Sequence, residues 1–281
     1  MNNPAPASSR IRPERITFDG STVGLLRYGA PDRVPLLLVH GFAGDKLAWQ
    51  YNIAALGRAY HVIAVDLPGH GESAPVPAAV PWRGMAAWLS ALVGHLALDR
   101  PHLVGHSLGA RLCLELAAGG SVGARSATLL ACAGLSQHWD HDFLGRLSKV
   151  ADAAEAEACA RILFGGATMP LASFTRHMLH RLDQGAMSAI LDRNWQDPDL
   201  RATAGYDWSA LPCPVQIVWG RDDPVAAPPP PDWLIGTETH LIDAVGHMPH
   251  VAASDRVNRL ILDFAGRADS QPQRSSVPAQ E

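Results

Sequence analysis

The chain is poor in the features that mark several protein classes. Only 18% of its 281 residues are charged and the formal net charge is −4, which leaves no footprint for nucleic acid or an anionic membrane as a partner. No apolar stretch is long enough to span a bilayer. Met1 to Arg12 is polar, rich in Pro, Ala and Ser, and lacks the apolar segment of a secretory signal, so a cytoplasmic location is expected. Cysteine is scarce as well. Cys113, Cys132, Cys159 and Cys213 lie in apolar surroundings without metal-like spacing, which predicts reduced, buried thiols. No H-E-x-x-H helix, P-loop or dinucleotide fingerprint occurs, so neither a metal nor a nucleotide cofactor is expected. What remains is a small-molecule substrate as partner, with a homo-oligomer compatible with the composition.

The apolar residues that are present fall into alternating β and α units. Ile16 to Phe18 and Thr22 to Tyr28 alternate as a hairpin around Asp19-Gly20. Pro35 to His40 is a nearly continuous apolar run, as in a strand covered on both faces, and after a helix-like segment at Lys46 to Leu56 a second buried strand is expected at His61 to Asp66. A helix at Met85 to Leu98 and strands at Pro101 to Gly105 and Ala127 to Cys132 follow. This rhythm predicts an α/β fold with a doubly wound, mostly parallel sheet. From about 136 to 206 it stops, and Ala151 to Phe164, Leu171 to Arg181 and Gln184 to Trp195 read as helices. Strands return at Pro214 to Trp219 and Thr239 to Ile242, and a last helix runs from Ser254 to Gly266. The expected organisation is a core over 15–135 and 207–267, a helical cap over 136–206, and disordered ends at 1–14 and 268–281.

One stretch organises the chemistry. Gly105-His106-Ser107-Leu108-Gly109 joins an apolar strand to a helix, so Ser107 sits on a sharp turn that only small neighbours at 105 and 109 permit. A Gly-rich loop with an incidental serine is the bland alternative. An activated serine needs a base and a group to orient that base. Asp222-Asp223 follows one strand and Gly246-His247 the next, so both emerge at the carboxyl edge where open α/β sheets carry their sites. Asp223 is favoured over Asp222, which serves as readily as a solvated turn residue, and His250 is the fallback to His247. The oxyanion donors are assigned to the backbone N–H groups of Phe42, in His40-Gly41-Phe42-Ala43-Gly44, and of Leu108. His40, Gly41, Phe42 and His106 are expected to contact substrate. Asp66 and His70, in a Pro- and Gly-rich turn, are read as loop hydrogen-bonding groups.

VHGFAGD (39–45), DLPGHGES (66–73), VGHSLGA (104–110), WGRDDPV (219–225) and VGHMPH (245–250), in that order, resemble the α/β-hydrolase fold superfamily over about residues 15 to 267. The resemblance implies Ser107 as nucleophile, Asp223 as orienting acid and His247 as base. Members that open epoxides or cleave carbon–halogen bonds carry aspartate at the elbow, and Ser107 argues against both. Within the family the segments are similar to the catalytic domain of the acetyltransferase components of acetoin dehydrogenase complexes, and to small carboxylesterases and carbon–carbon bond hydrolases. No lipoyl domain or linker stands before residue 15, and a role in such a complex is not expected on that ground. The expected function is cleavage of a small, fairly apolar ester or thioester through an acyl-enzyme. The alternatives are hydrolysis of a carbon–carbon bond in a dicarbonyl compound and a non-catalytic ligand-binding protein of the same fold.

Phe143, Phe164, Met169, Met178 and Trp195 in the helical insertion suggest an apolar acyl or alcohol portion. Two departures from the family pattern stand out. Pro228 to Pro231 cannot form the helix usual after the acid and predicts a stiff extended segment. Arg111, where small residues are usual, either pairs with Glu115 at i,i+4 or reaches into the core.

Overall fold

The computed structural model describes residues 10–75, 81–136, 138–165, 171–181, 184–195 and 207–271. β1 (Arg12–Phe18) and β2 (Ser21–Tyr28) form an antiparallel hairpin. Its turn residues, Asp19 and Gly20, both have positive φ, 49° and 71°, which suits the twist of a two-residue connection. β3 (Pro35–Val39), β4 (His61–Val65), β5 (His102–His106), β6 (Ser126–Leu130), β7 (Val215–Gly220) and β8 (Glu238–Ile242) complete an eight-stranded sheet in the order β1-β2-β4-β3-β5-β6-β7-β8. β1, β2 and β4 pair antiparallel, and β4 through β8 are parallel.

The continuous apolar runs are explained by burial on both faces. Leu37, Val39, Leu103, Leu129 and Ile217 pack one way, under α2 (Trp82–His95) and α3 (Leu108–Gly119). Leu36, Leu38, Val104 and Val218 point the other way, onto Trp49, α1 (Ile53–Leu56) and α9 (Ser254–Asp269). Each fully buried leucine contributes roughly 1.5–3 kcal/mol relative to exposure, so the two layers fix the register of every central strand.

α4 (His141–Leu147), α5 (Ala153–Phe164), α6 (Leu171–Arg181) and α7 (Gln184–Trp195) lie between β6 and β7, and α8 (Pro249–Ala252) precedes α9. Asp140 caps α4 by accepting from the Phe143 N–H (2.8 Å), and Asp152 caps α5 by accepting from Glu155 N–H (2.9 Å). α5 stops at Gly165, which turns into positive φ (59°). No helix among the described residues is long and apolar enough to cross a membrane.

Several boundaries depart from the sequence reading. Arg12 to Glu14, expected in a disordered start, belong to β1, where Glu14 accepts from Arg27 at 2.9 Å. α9 runs on to Asp269 because that carboxylate receives Tyr60 Oη, His102 Nε2 and Arg125 Nη1, each at 3.2 Å. Lys46 to Leu56 is a 3₁₀ turn (Lys46–Trp49) followed by α1, with the break at Gln50 to Asn52. The proline run is extended through Pro230 (φ −58°, ψ 141°), whereas Pro231 opens a 3₁₀ turn to Leu234.

Candidate active site

Four loops at the carboxyl edge of the parallel strands meet around one cavity. The strand-to-helix turn after β5 places Ser107 at φ 50°, ψ −114°, a conformation that costs a non-glycine residue about 1–3 kcal/mol. Surrounding bonds hold it there: its N–H donates to Leu130 O (2.9 Å), and its carbonyl accepts from Arg111 N (3.1 Å) and Ala133 N (3.0 Å). Gly105 and Gly109 have the steric role the pentapeptide implied. A Cβ on Gly105 would stand 2.5 Å from Ala110 Cα, and one on Gly109 would press onto the carbonyls of Val39 and His40.

Asp223 and His247 come from the loops after β7 and β8. Asp223 Oδ2 accepts from His247 Nδ1 at 2.7 Å, and Oδ1 accepts from the N–H groups of Val225 and Ala226 at 2.9 Å each. With Nδ1–H committed to the carboxylate, Nε2 is the open acceptor of the neutral ring. Asp222 is exposed and Asp223 buried, which separates the two neighbours. Ser107 and His247 line the same cavity together with Gly41, Phe42 and His106. His250 does not reach it. Its ring lies fully buried between those of Trp49 (4.5 Å) and His106 (4.6 Å).

His40, expected against substrate, is instead buried behind the loop that carries Phe42, outside the cavity lining. Its Nδ1 donates to Gly41 O (2.8 Å) and its Nε2 accepts from Leu67 N (2.9 Å). His70 braces the same loop, since Nδ1 donates to Pro68 O (3.0 Å) and Nε2 accepts from Ala43 N (3.3 Å). Burial pushes the pKa of His40 down to about 4 and that of His70 to about 3, so both stay neutral and keep these acceptors. Asp66 pins the loop from below, accepting from Lys46 N (2.7 Å), Lys46 Nζ (2.6 Å) and Glu72 N (2.8 Å). Burial raises its pKa against the pull of the Lys46 bonds.

The opposite wall is apolar. Phe143, Leu144 and Leu147 of α4, Leu163 of α5, and Phe174 and Met178 of α6 face Val225, Met248 and Val251 across about 920 Å3, part of it open to solvent. Phe143 and Met178 were named from sequence. Phe164 packs instead against Phe174 (4.9 Å) in the cluster behind. Met169 lies outside the described residues, as does the side chain of Trp195. Leu144, Leu147, Leu163 and Phe174 were not singled out among the apolar residues of the insertion, because helical periodicity shows that they are apolar but not that their face meets a cavity rather than a core. Arg111 satisfies both alternatives: it pairs with Glu115 (2.9 Å) and lies 4.6 Å from the Trp82 ring centre.

The model of the alpha/beta hydrolase family matches residues 36–260. The dihydrolipoyllysine-residue acetyltransferase component of the acetoin cleaving system of Pseudomonas putida is 30% identical over 261 residues, covering 90% of this chain and 69% of the relative. Monoacylglycerol lipase ABHD6 of Bos taurus is 25% identical over 264 residues, covering 86% of this chain and 78% of the relative. Among solved structures, a bacterial membrane phospholipase A superposes with a TM-score of 0.78 at 20% identity, covering 93% of this chain and 87% of that one. That likeness speaks to the fold.

Proposed function

The chain belongs to the alpha/beta hydrolase family, and on that premise we propose that it is a serine hydrolase that cleaves an apolar carboxylic ester or thioester through an acyl-enzyme. In this reading Ser107 is the nucleophile, His247 the base and Asp223 the group that orients it. The observation that carries it is the 2.7 Å bond between His247 Nδ1 and a carboxylate that is itself saturated by two backbone donors, in a cavity Ser107 shares. That arrangement selects the tautomer with a basic Nε2 and stabilises the imidazolium that forms.

Ser107 Oγ attacks the carbonyl carbon while His247 Nε2 takes the hydroxyl proton, and the backbone N–H groups of Phe42 and Leu108 bind the oxyanion. Leu108 opens α3, whose first-turn amides have no partner within the helix. The C–O or C–S bond then breaks, and His247 returns the proton to the leaving alkoxide or thiolate. Water, deprotonated by the same nitrogen, hydrolyses the acyl-serine and regenerates Ser107. α4 to α6 act as the cap that receives the apolar part of the substrate. An ester is favoured over an acidic dicarbonyl compound because, among the described residues lining the cavity, no lysine or arginine is present to pair with a substrate carboxylate.

A panel of p-nitrophenyl esters of increasing acyl length tests the reading on wild type and Ser107→Ala. Turnover by wild type, lost in the variant, is the expected result. Equal rates for both would overturn it, and spectral loss of a vinylogous diketone acid in place of ester turnover would move the assignment to carbon–carbon bond hydrolysis.

A further inference from the structure

His106 lines the cavity beside Ser107, yet the reaction proposed above gives it no proton to carry. Its Nε2–H donates to the main-chain carbonyl of His247 at 2.8 Å, and the two rings meet edge to face with centres 5.0 Å apart. The bond therefore runs from the residue immediately before the nucleophile to the backbone of the base. On the other side, the His247 N–H donates to Leu163 O (2.8 Å) at the end of α5. The His106 ring is fixed from behind by His250, which rests on Trp49. Asn52 Nδ2 holds the main chain there, donating to His250 O (3.0 Å) and to Asn258 Oδ1 (2.8 Å). In front, a Cβ on Gly41 would stand 2.7 Å from His106 Nδ1, so the glycine leaves the ring its place.

We propose that His106 is a positioning residue that sets the distance between the His247 imidazole and Ser107, so that elbow and base move as one unit. Asp223 fixes the rotation of the His247 ring from the β7 side, and the His247 N–H ties its main chain to Leu163 O, but neither bond reaches the elbow. The His106 bond is the one that joins that main chain to the residue beside Ser107. Burial and the neighbouring His250 and His247 hold the His106 pKa well below its ordinary value, so the ring stays neutral, with its one proton on the nitrogen that faces the carbonyl. The inference rests on the assignment of Ser107 and His247 as nucleophile and base.

The test compares His106→Phe, which keeps an aromatic ring without a donor, with His106→Gln, whose amide N–H reaches about as far as Nε2. The reaction rate of Ser107 with a fluorophosphonate probe and the kcat and KM on a p-nitrophenyl ester are read alongside the melting temperature. Expected for His106→Phe is a fall in kcat and labelling rate of about 30- to 100-fold with KM within about twofold, and recovery to within about fivefold in His106→Gln. Wild-type rates in His106→Phe, or equal loss in both variants, would overturn the proposal. Should His106→Phe fail to fold, the wild-type protein decides: long-range 1H–15N spectra must show His106 as the Nε2–H tautomer, and an Nδ1–H tautomer would sink the idea. If wild type itself is not labelled at Ser107, the reading of the site fails instead, which is a separate outcome.

Discussion

The floor and the roof of the cavity are held by different physics. The floor, made of the loops after β3, β5, β7 and β8 and backed by the loop after β4, is fixed by directional bonds to buried polar groups. Asp66, His40, His70 and Asp223 each meet two or more backbone or side-chain partners there. The roof, α4 to α6, meets the cavity with Phe143, Leu144, Leu147, Leu163, Phe174 and Met178, whose contacts are apolar and non-directional. A directional network tolerates little displacement, which suits a reaction whose atoms must align. Apolar packing tolerates substitution of similar volume, which suits a wall that selects substrate shape. The comparison therefore assigns chemistry to one side and selectivity to the other, and it can be broken from either.

The largest effects belong to the floor. Ser107→Ala is expected to cut kcat/KM for an ester about 10⁵-fold, and Asp223→Asn about 10⁴-fold through loss of the tautomer, both with melting temperatures near wild type. Steady-state kinetics read this, and an Asp223→Asn variant at wild-type rate would remove Asp223 from the proposed mechanism. Next comes Asp66→Ala, which takes from the buried Lys46 ammonium its fully buried carboxylate partner, leaving it only the part-exposed Glu72 (3.0 Å), and leaves the Lys46 and Glu72 amides without their acceptor. Breaking a buried pair by removing one partner costs about 3–5 kcal/mol, to be seen in urea unfolding, where a loss under 1 kcal/mol would show the network to be dispensable.

The pH dependence of stability follows from the floor histidines. His40 and His70 are depressed to about 4 and about 3, so the unfolded chain binds protons that the folded chain refuses. The stabilisation is complete above the unfolded value of about 6.5 and is lost as pH falls from there toward 4, about 3 kcal/mol from His40 alone. Urea midpoints measured from pH 7.5 to 4.5 should decline across that window, and a flat profile would contradict neutral buried rings. The smallest effect is expected of the roof. Leu147→Phe narrows the cavity without touching the floor, so KM for the longest acyl chain should rise about tenfold while acetyl ester turnover stays within about twofold. A matching loss on the acetyl ester would place Leu147 in the chemistry and collapse the distinction.

The strands of the core were legible because burial on both faces imposes continuous apolar runs, and the elbow because Gly105 and Gly109 are the residues that backbone contact allows there. The order Ser107, Asp223, His247 was readable too, since each follows a strand at the same sheet edge. α4 and α8 were not singled out, being seven and four residues long and too short to show a helical period. His40 was misplaced because a histidine beside Gly-rich sequence looks the same whether it faces substrate or braces the loop.

By itself, the sequence determined which chemistry-bearing side chains exist, which strand each one follows, and that the sheet is sealed on both sides. Those properties are local or periodic, and a linear pattern records them. Only the tertiary structure decided how Asp223 meets His247, that His40 turns away from the cavity to hold the loop, and that His106 grips the main chain 141 residues further on. Each of these depends on where a ring or carboxylate points once distant loops are packed together, and no spacing along the chain encodes that direction.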